Sequence, residues 1–195
     1  SIKDPSTFVR NNIIATFNLL EEARRYPVKK FIHISTDEVY GSSEECFYET
    51  DRLNPGNPYS ATKASADMLC LSYHNTYGIP VVILRPENNY GFFQHKQKLI
   101  PCLVDKIMKN QPIKIYGDGK HKRMWLRVED FCTAIHKVID CGVIGQVYNI
   151  GGGQESENID IARKIYKILD KPENIIYVPD NEIRPGHDRR YAMNT

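Results

Sequence analysis

Short apolar runs alternate with longer stretches of helical periodicity along this chain. Phe8, Ile13, Ile14, Phe17, Leu19 and Leu20 recur at roughly helical spacing between the start signal Asp4-Pro5-Ser6 and Arg25, and Pro27 ends the stretch. Residues 28–35 then read as a short buried strand, rich in apolar residues. Pro55, Gly56, Asn57 and Pro58 mark a loop. Residues 59–77 fit a helix with Ala61, Ala64, Met68, Leu69 and Ser72 along one side, closed by Gly78. Residues 80–84 form a second buried strand. A helix over 99–108, a strand over 113–116, a Gly117-Asp118-Gly119 turn, an extended piece over 125–128 and a helix over 129–139 follow. A strand over 146–150 runs into Gly151-Gly152-Gly153, and a helix over 159–169 and a strand over 175–178 come last.

Helices alternating with short apolar strands predict an α/β fold with a mostly parallel sheet. Ligands of such sheets bind beyond the carboxyl ends of the strands. Three polar clusters lie at those ends: Thr36-Asp37-Glu38, Asn88-Asn89 and the triple glycine. A doubly wound dinucleotide-binding domain ordinarily opens on a strand, a G-x-G-x-x-G turn and a helix whose N-terminus holds the pyrophosphate. This sequence opens on a helix, and Gly151-Gly152-Gly153 comes late and has the wrong spacing. Either no dinucleotide is bound, or the first half of the domain is not in the sequence.

The chain has 195 residues, 41% hydrophobic and 26% charged, with a net charge of +2, enough for a real core and without a long basic stripe. Lys29-Lys30 and Lys120-His121-Lys122-Arg123 are too short to predict nucleic-acid binding. Cys46, Cys70, Cys102, Cys132 and Cys141 include no C-x-x-C pair and are odd in number, which argues against a zinc site or a disulfide framework. No apolar run approaches membrane-spanning length and no signal peptide is apparent, so a soluble cytoplasmic protein with no membrane partner and no metal is expected.

The polar clusters carry the candidate chemistry. Tyr59 and Lys63 lie four apart on the predicted helix and share a face. A nearby ammonium favours the phenolate, so the pair is expected to lower the tyrosine pKa and let Tyr59 take a proton from a substrate hydroxyl, with Thr36 bonded to the same hydroxyl. Tyr/Lys pairs at this spacing also arise by chance on helices; the strand-end Thr36 tips the balance to the functional reading. Asp37 and Glu38 are adjacent carboxyls between the apolar run Phe31-Ile32-His33-Ile34-Ser35 and Val39-Tyr40-Gly41. Acidic pairs in turns are commonly solvated caps. Enclosed neighbours push their pKa values apart into one acid and one base, as the elimination of water requires.

These segments resemble the extended short-chain dehydrogenase/reductase family, and within it the dTDP-glucose 4,6-dehydratases. The resemblance rests on Ser35-Thr36-Asp37-Glu38-Val39-Tyr40-Gly41, Tyr59-Ser60-Ala61-Thr62-Lys63, Asn88-Asn89-Tyr90-Gly91, Lys98-Leu99-Ile100-Pro101, Ile115-Tyr116-Gly117, Val128-Glu129-Asp130, Tyr148-Asn149-Ile150-Gly151-Gly152 and Arg184-Pro185-Gly186-His187-Asp188-Arg189-Arg190-Tyr191. It implies a Rossmann-like doubly wound parallel sheet, incomplete here, with a smaller interleaved α/β substrate domain. Residues 1–87 and 124–151 are expected in the NAD-binding unit, and 88–123 and 152–195 in the substrate unit. It implies that Tyr59, Lys63 and Thr36 serve proton removal at the sugar 4-hydroxyl, that Glu38 takes the C5 proton and that Asp37 protonates the departing C6 hydroxyl. Tyr59, Lys63 and Asn12 are implied at the cofactor, NAD. Asn88, Lys98, Leu99, Arg123, Asn149, Arg184, His187 and Tyr191 are implied at the nucleotide-sugar substrate, the arginines as bidentate forks on a diphosphate. A homodimer of the full-length protein is implied, with the helix over 59–77 in its interface.

The sequence departs from the family pattern at Met124 and Arg127, around Arg123, and at Pro86-Glu87, where small residues are usual. With its glycine-rich half absent, the chain reads as a C-terminal part that is expected not to catalyse alone. Two rivals stay open: another nucleotide-sugar epimerase or decarboxylase of the family, and a non-catalytic fragment that binds a nucleotide sugar or a partner.

Overall fold

The computed structural model describes residues 4–179 and 189–195. The first helix, α1, runs over residues 6–25 as Ser6–Phe8, a π-helical stretch Val9–Ile14 and Ala15–Arg25. The Asp4 carboxylate accepts from the Ser6 N–H at 3.1 Å and from both the Ser6 and Thr7 hydroxyls at 2.6 Å, which caps its start. Strand β1 (Phe31–Ile34) is shorter than the sequence suggests. Lys30 is drawn away: its ammonium donates to the Val138 and Ile139 carbonyls at 2.9 and 2.8 Å, at the end of a distant helix. Helix α2 (Pro58–Tyr77) begins in a capping box, with Asn57 Oδ1 accepting from the Ser60 N–H and Ser60 Oγ from the Asn57 N–H. Gly78 ends it at φ +70°, a left-handed position that costs glycine nothing.

Strand β2 (Val81–Pro86) is the centre of the main sheet. It pairs in parallel with β1 on one side and with β6 (Val147–Ile150) on the other. Its apolar run over 81–84 has no polar face because both faces are covered. Val81 and Ile83 pack with Leu20, Ala23, Cys70 and Tyr73 of α1 and α2. Val82 and Leu84 point the other way, onto Phe131 and Val138 of helix α4 (Val128–Cys141), through the alternation of strand side chains. Helices therefore flank both faces of the parallel sheet, the doubly wound arrangement expected.

The remaining elements form two small sheets. One holds β3 (Asn88–Tyr90), β5 (Lys122–Arg127) and β7 (Glu155–Glu157), in the order β3-β5-β7. The other pairs β4 (Ile113–Tyr116) in parallel with β8 (Ile175–Val178). Helices α3 (Leu99–Met108) and α5 (Asn158–Ile168) close a separate core of Leu103, Ile107, Ile113, Ile115, Ile159, Ala162, Ile165 and Tyr166. β3 and β7 have no apolar run of their own, so nothing local announces them. Among the described residues, no helix is long and apolar enough to cross a membrane.

Candidate active site

The site grows from the carboxyl end of β1. The Ser35 N–H still donates to the Leu84 carbonyl, at 2.7 Å, and the chain then turns into a short helical segment, Asp37–Tyr40. Thr36 caps that segment: its hydroxyl oxygen accepts from the Glu38 N–H at 3.3 Å, and its O–H donates to Asp37 Oδ1 at 3.1 Å. Thr36 and Asp37 are buried and Glu38 is half-buried. The acidic pair is thus folded inward, not exposed on a loop.

The start of α2 brings the tyrosine and lysine to the same strand end. The Tyr59 phenol is hydrogen-bonded to Thr36, and its ring meets Phe8 edge-on at 5.7 Å between centroids. Lys63, one turn on, donates to the Ile34 carbonyl at 2.5 Å. The two side chains share a face, as their spacing requires, but they do not act on one another as expected. Burial pushes the Tyr59 phenol up to about 12, the negative charges of Glu38 and Asp37 add to it, and only the Thr36 bond opposes. The Lys63 ammonium is spent on a backbone carbonyl, and its own pKa is lowered by burial. The lowered tyrosine pKa expected from the sequence is therefore corrected to a raised one.

Asp37 is pushed up to about 7, chiefly by burial and then by the Glu38 charge; the Thr36 bond opposes, Glu87 adds, and Arg123 opposes. Its Oδ2 is buried with no hydrogen-bond partner among the described residues. A carboxyl half protonated near neutrality, beside a second carboxyl and a hydroxyl-bonded tyrosine, can deliver a proton to a leaving group while its neighbour accepts one.

Residues 1–151 match the NAD dependent epimerase/dehydratase family. The chain belongs to that family. A dTDP-glucose 4,6-dehydratase of Streptomyces niveus is 44% identical over the whole chain, which spans 58% of that relative's length. A dTDP-glucose 4,6-dehydratase of Streptomyces venezuelae, solved with NAD and TYD bound, superposes with a TM-score of 0.95 at 38% identity, over 100% of this chain and 60% of that one. UDP-glucuronic acid 4-epimerase of Bacillus cereus, solved with UDP-glucuronic acid and NAD, follows with a TM-score of 0.91 at 32% identity, over 95% of this chain and 59% of that one.

Not every residue that the family resemblance marked stands open to a ligand. Asn149 is buried with its amide fully engaged: Oδ1 accepts from the Tyr40 hydroxyl at 2.8 Å, and Nδ2 donates to the Phe47 and Asn194 carbonyls at 3.1 and 3.2 Å. It clamps the C-terminal segment to the sheet. Tyr191 is buried too, its ring 4.5 Å under the Arg123 guanidinium. Arg123 itself is buried beside Asp37 and donates through one guanidinium nitrogen to the Lys122 and Arg189 carbonyls at 2.6 and 3.1 Å. Asn12 Nδ2 donates to Thr62 Oγ1 at 2.9 Å and ties α1 to α2. Lys98 is exposed at the residue before α3, with no capping bond from its side chain, and Leu99 begins the helix. Asn88 Nδ2 is buried without a hydrogen-bond partner among the described residues. Arg184 and His187 lie outside the described residues.

Two features escaped the family comparison of motifs. Glu87, seen only as a departure, is buried directly after β2, and burial pushes its pKa up to about 7. Below the site, the Arg85 guanidinium is buried between Asp67 Oδ2, at 3.0 Å from Nε, and the Tyr40 hydroxyl, at 2.7 Å from its NH1. His33 Nε2 lies 3.4 Å from Asp67 Oδ1. The only advance signal for this network was a charge, Arg85, inside a strand pattern that is otherwise wholly apolar.

Proposed function

We propose that this chain carries the reaction centre of an NAD-dependent dTDP-glucose 4,6-dehydratase, which converts the nucleoside-diphosphate glucose to its 4-keto-6-deoxy form. The observation that carries the reading is the buried Asp37, half protonated near neutrality, held between Glu38 and the Thr36–Tyr59 pair. An epimerase that only oxidises and reduces at C4 has no use for an acid and a base side by side.

The residues present fit the redox end of NAD. Tyr59 and Lys63 converge on the end of β1, and Ser35 Oγ just after β1 and Asn88 Nδ2 at the start of β3 are buried without a hydrogen-bond partner among the described residues. No glycine turn for the pyrophosphate occurs in this sequence. Bound NAD supplies the hydride acceptor and donor and, when oxidised, a positive charge. Tyr59 as phenolate, a form that a nearby positive charge would favour, would take the proton of the 4-hydroxyl, with Thr36 hydrogen-bonded to the same oxygen. Glu38 takes the C5 proton, which a ketone at C4 makes acidic. Asp37 gives its proton to the C6 hydroxyl as that leaves as water. Lys63 orients the site through the Ile34 carbonyl.

We assign the substrate to the unit of residues 88–123 and 152–195 and the cofactor to 1–87 and 124–151. Asn88, Lys98 and Leu99 keep the substrate role the family resemblance gave them, the buried Asn88 Nδ2 without a partner among the described residues in support, and Arg184 keeps the diphosphate role and His187 the place at the nucleotide end. The cysteine pattern supports a reducing, cytoplasmic setting. The exposed Met68 on α2 supports a homodimer through that helix. The test is the Glu38→Gln variant of the full-length protein with dTDP-glucose and NAD. Loss of 4-keto-6-deoxy product with NADH still formed on the enzyme is the expected result. Loss of NADH as well overturns the role given to Glu38, and C4 epimerisation by the wild type overturns the reading itself.

A further inference from the structure

Asp37 and Glu87 lie just beyond the carboxyl ends of neighbouring strands, Asp37 in the short helical segment after β1 and Glu87 directly after β2. β1 and β2 pair in parallel with Ile34 opposite Leu84, and each carboxyl comes three residues beyond that pair. Both residues are buried, at 4% and 3% exposure. Each keeps one carboxyl oxygen, Asp37 Oδ2 and Glu87 Oε1, buried and without a hydrogen-bond partner among the described residues. The other Glu87 oxygen is pinned: Oε2 accepts from the Gly152 N–H at 2.9 Å. The triple-glycine turn after β6 is shaped around this carboxylate, since a Cβ at Gly151 would overlap the Glu87 carboxyl and one at Gly152 would overlap the Trp125 carbonyl. The Glu87 N–H donates to the Ile150 carbonyl at 3.0 Å, so the residue is fixed by backbone as well as by side chain.

We propose that Glu87 is a positioning residue for the Asp37 acid: its buried carboxylate, anchored on the glycine turn, keeps the proton on Asp37 that the leaving hydroxyl must receive. The inference rests on the dehydratase reading for its consequence in catalysis, but not for the coupling itself. The groups that face Asp37 are Glu38 on its own segment, Thr36 before it, Glu87 beyond β2 and Arg123 on β5, while Tyr59 of α2 feels the Asp37 charge. Glu38 and Glu87 favour the protonated Asp37; Thr36 and Arg123 favour the carboxylate. Burial raises both Asp37 and Glu87 to about 7. A negative charge on Glu87 disfavours a further one on Asp37. Near neutrality, ionised Glu87 thus extends the range in which Asp37 remains an acid.

The test is Glu87→Gln, which removes the charge and keeps an oxygen for the Gly152 N–H, with Glu87→Asp as the charge-keeping control. The Asp37 carboxyl is titrated by carbon-13 NMR in the full-length protein labelled at aspartate, its signal assigned by its loss in Asp37→Asn. In Glu87→Gln the Asp37 titration is expected to fall by about one pH unit, and in Glu87→Asp to stay raised. The alkaline limb of the dehydration rate, which reports loss of the Asp37 proton, is expected to move down with it in Glu87→Gln. An unmoved Asp37 titration in Glu87→Gln overturns the inference, whatever the activity. A moved titration in a protein without dehydratase activity leaves the coupling standing and defeats the functional reading instead. Should Glu87→Gln not fold, Glu87→Asp alone decides: full loss of the raised titration with a carboxyl still present also overturns it.

Discussion

Asp37 shows how far one residue departs from its type when the fold encloses it. A free aspartate is ionised at neutral pH; this one is held near 7 by burial and by Glu38. The consequence reaches stability. Its folded pKa lies above the unfolded one, so the stability tied to its protonated form is present in full below about pH 4 and is lost as the pH rises through 7. Asp37→Asn cannot ionise and is spared that loss. It should raise the unfolding free energy at pH 8 over the wild type by about 2–4 kcal/mol, and far less at pH 4. Thermal or urea unfolding at the two pH values measures it, and an equal effect at both would show that the residue is not buried as an acid. Spacing placed Tyr59 and Lys63 on one face, yet their mutual influence depended on where the ammonium found a partner. That partner is the Ile34 carbonyl, 29 residues away in the chain, and no local rule supplies it.

At the scale of elements, the order of helices and strands was largely legible, because apolar runs and caps are local. The Asn57-Pro58 start and Gly78 end of α2 agree with their sequence signals to within a residue. The inward face of that helix was less legible. Met68, expected inside, is 49% exposed, and Asp67 beside it is wholly buried. The reason is the Arg85 guanidinium on β2, which faces α2 and takes the carboxylate. Breaking such a pair leaves a buried charge without its partner. Asp67→Ala is therefore expected to cost about 3–5 kcal/mol, read from the midpoint of urea unfolding. A cost under about 1 kcal/mol, in the range of surface pairs, would show that the pair is solvated in solution. β3 and β7 were illegible for the converse reason: Asn88-Asn89-Tyr90 and Glu155-Ser156-Glu157 pair because β5 lies beside them, not because of their own pattern.

In the whole molecule, two cores divide the chain. One surrounds the parallel sheet and the other sits between α3, α5 and β4. The candidate site lies at the strand ends of the first, with β3 and β5 leading into the second. The outer side of α2 keeps Met68 half-exposed, an apolar side chain that the proposed homodimer covers. Met68→Glu is expected to shift the full-length protein from dimer to monomer in analytical ultracentrifugation while its circular dichroism stays unchanged. A dimer that persists in this variant would move the interface elsewhere.

Periodicity and punctuation in the sequence determined the α/β class and the run of elements, and set Thr36, Asp37 and Glu38 at a strand end and Tyr59 and Lys63 on one helix face, since each depends on neighbours within a few residues. The tertiary structure alone decided which charges are buried and which groups face them. It raised Asp37 and Tyr59, set Lys63 on a carbonyl, gave Asn149, Arg123 and Tyr191 internal contacts and buried Glu87 beyond the strand beside that of Asp37. Desolvation and Coulomb interaction depend on distance in space, and in a parallel sheet residues far apart in the chain come to lie side by side.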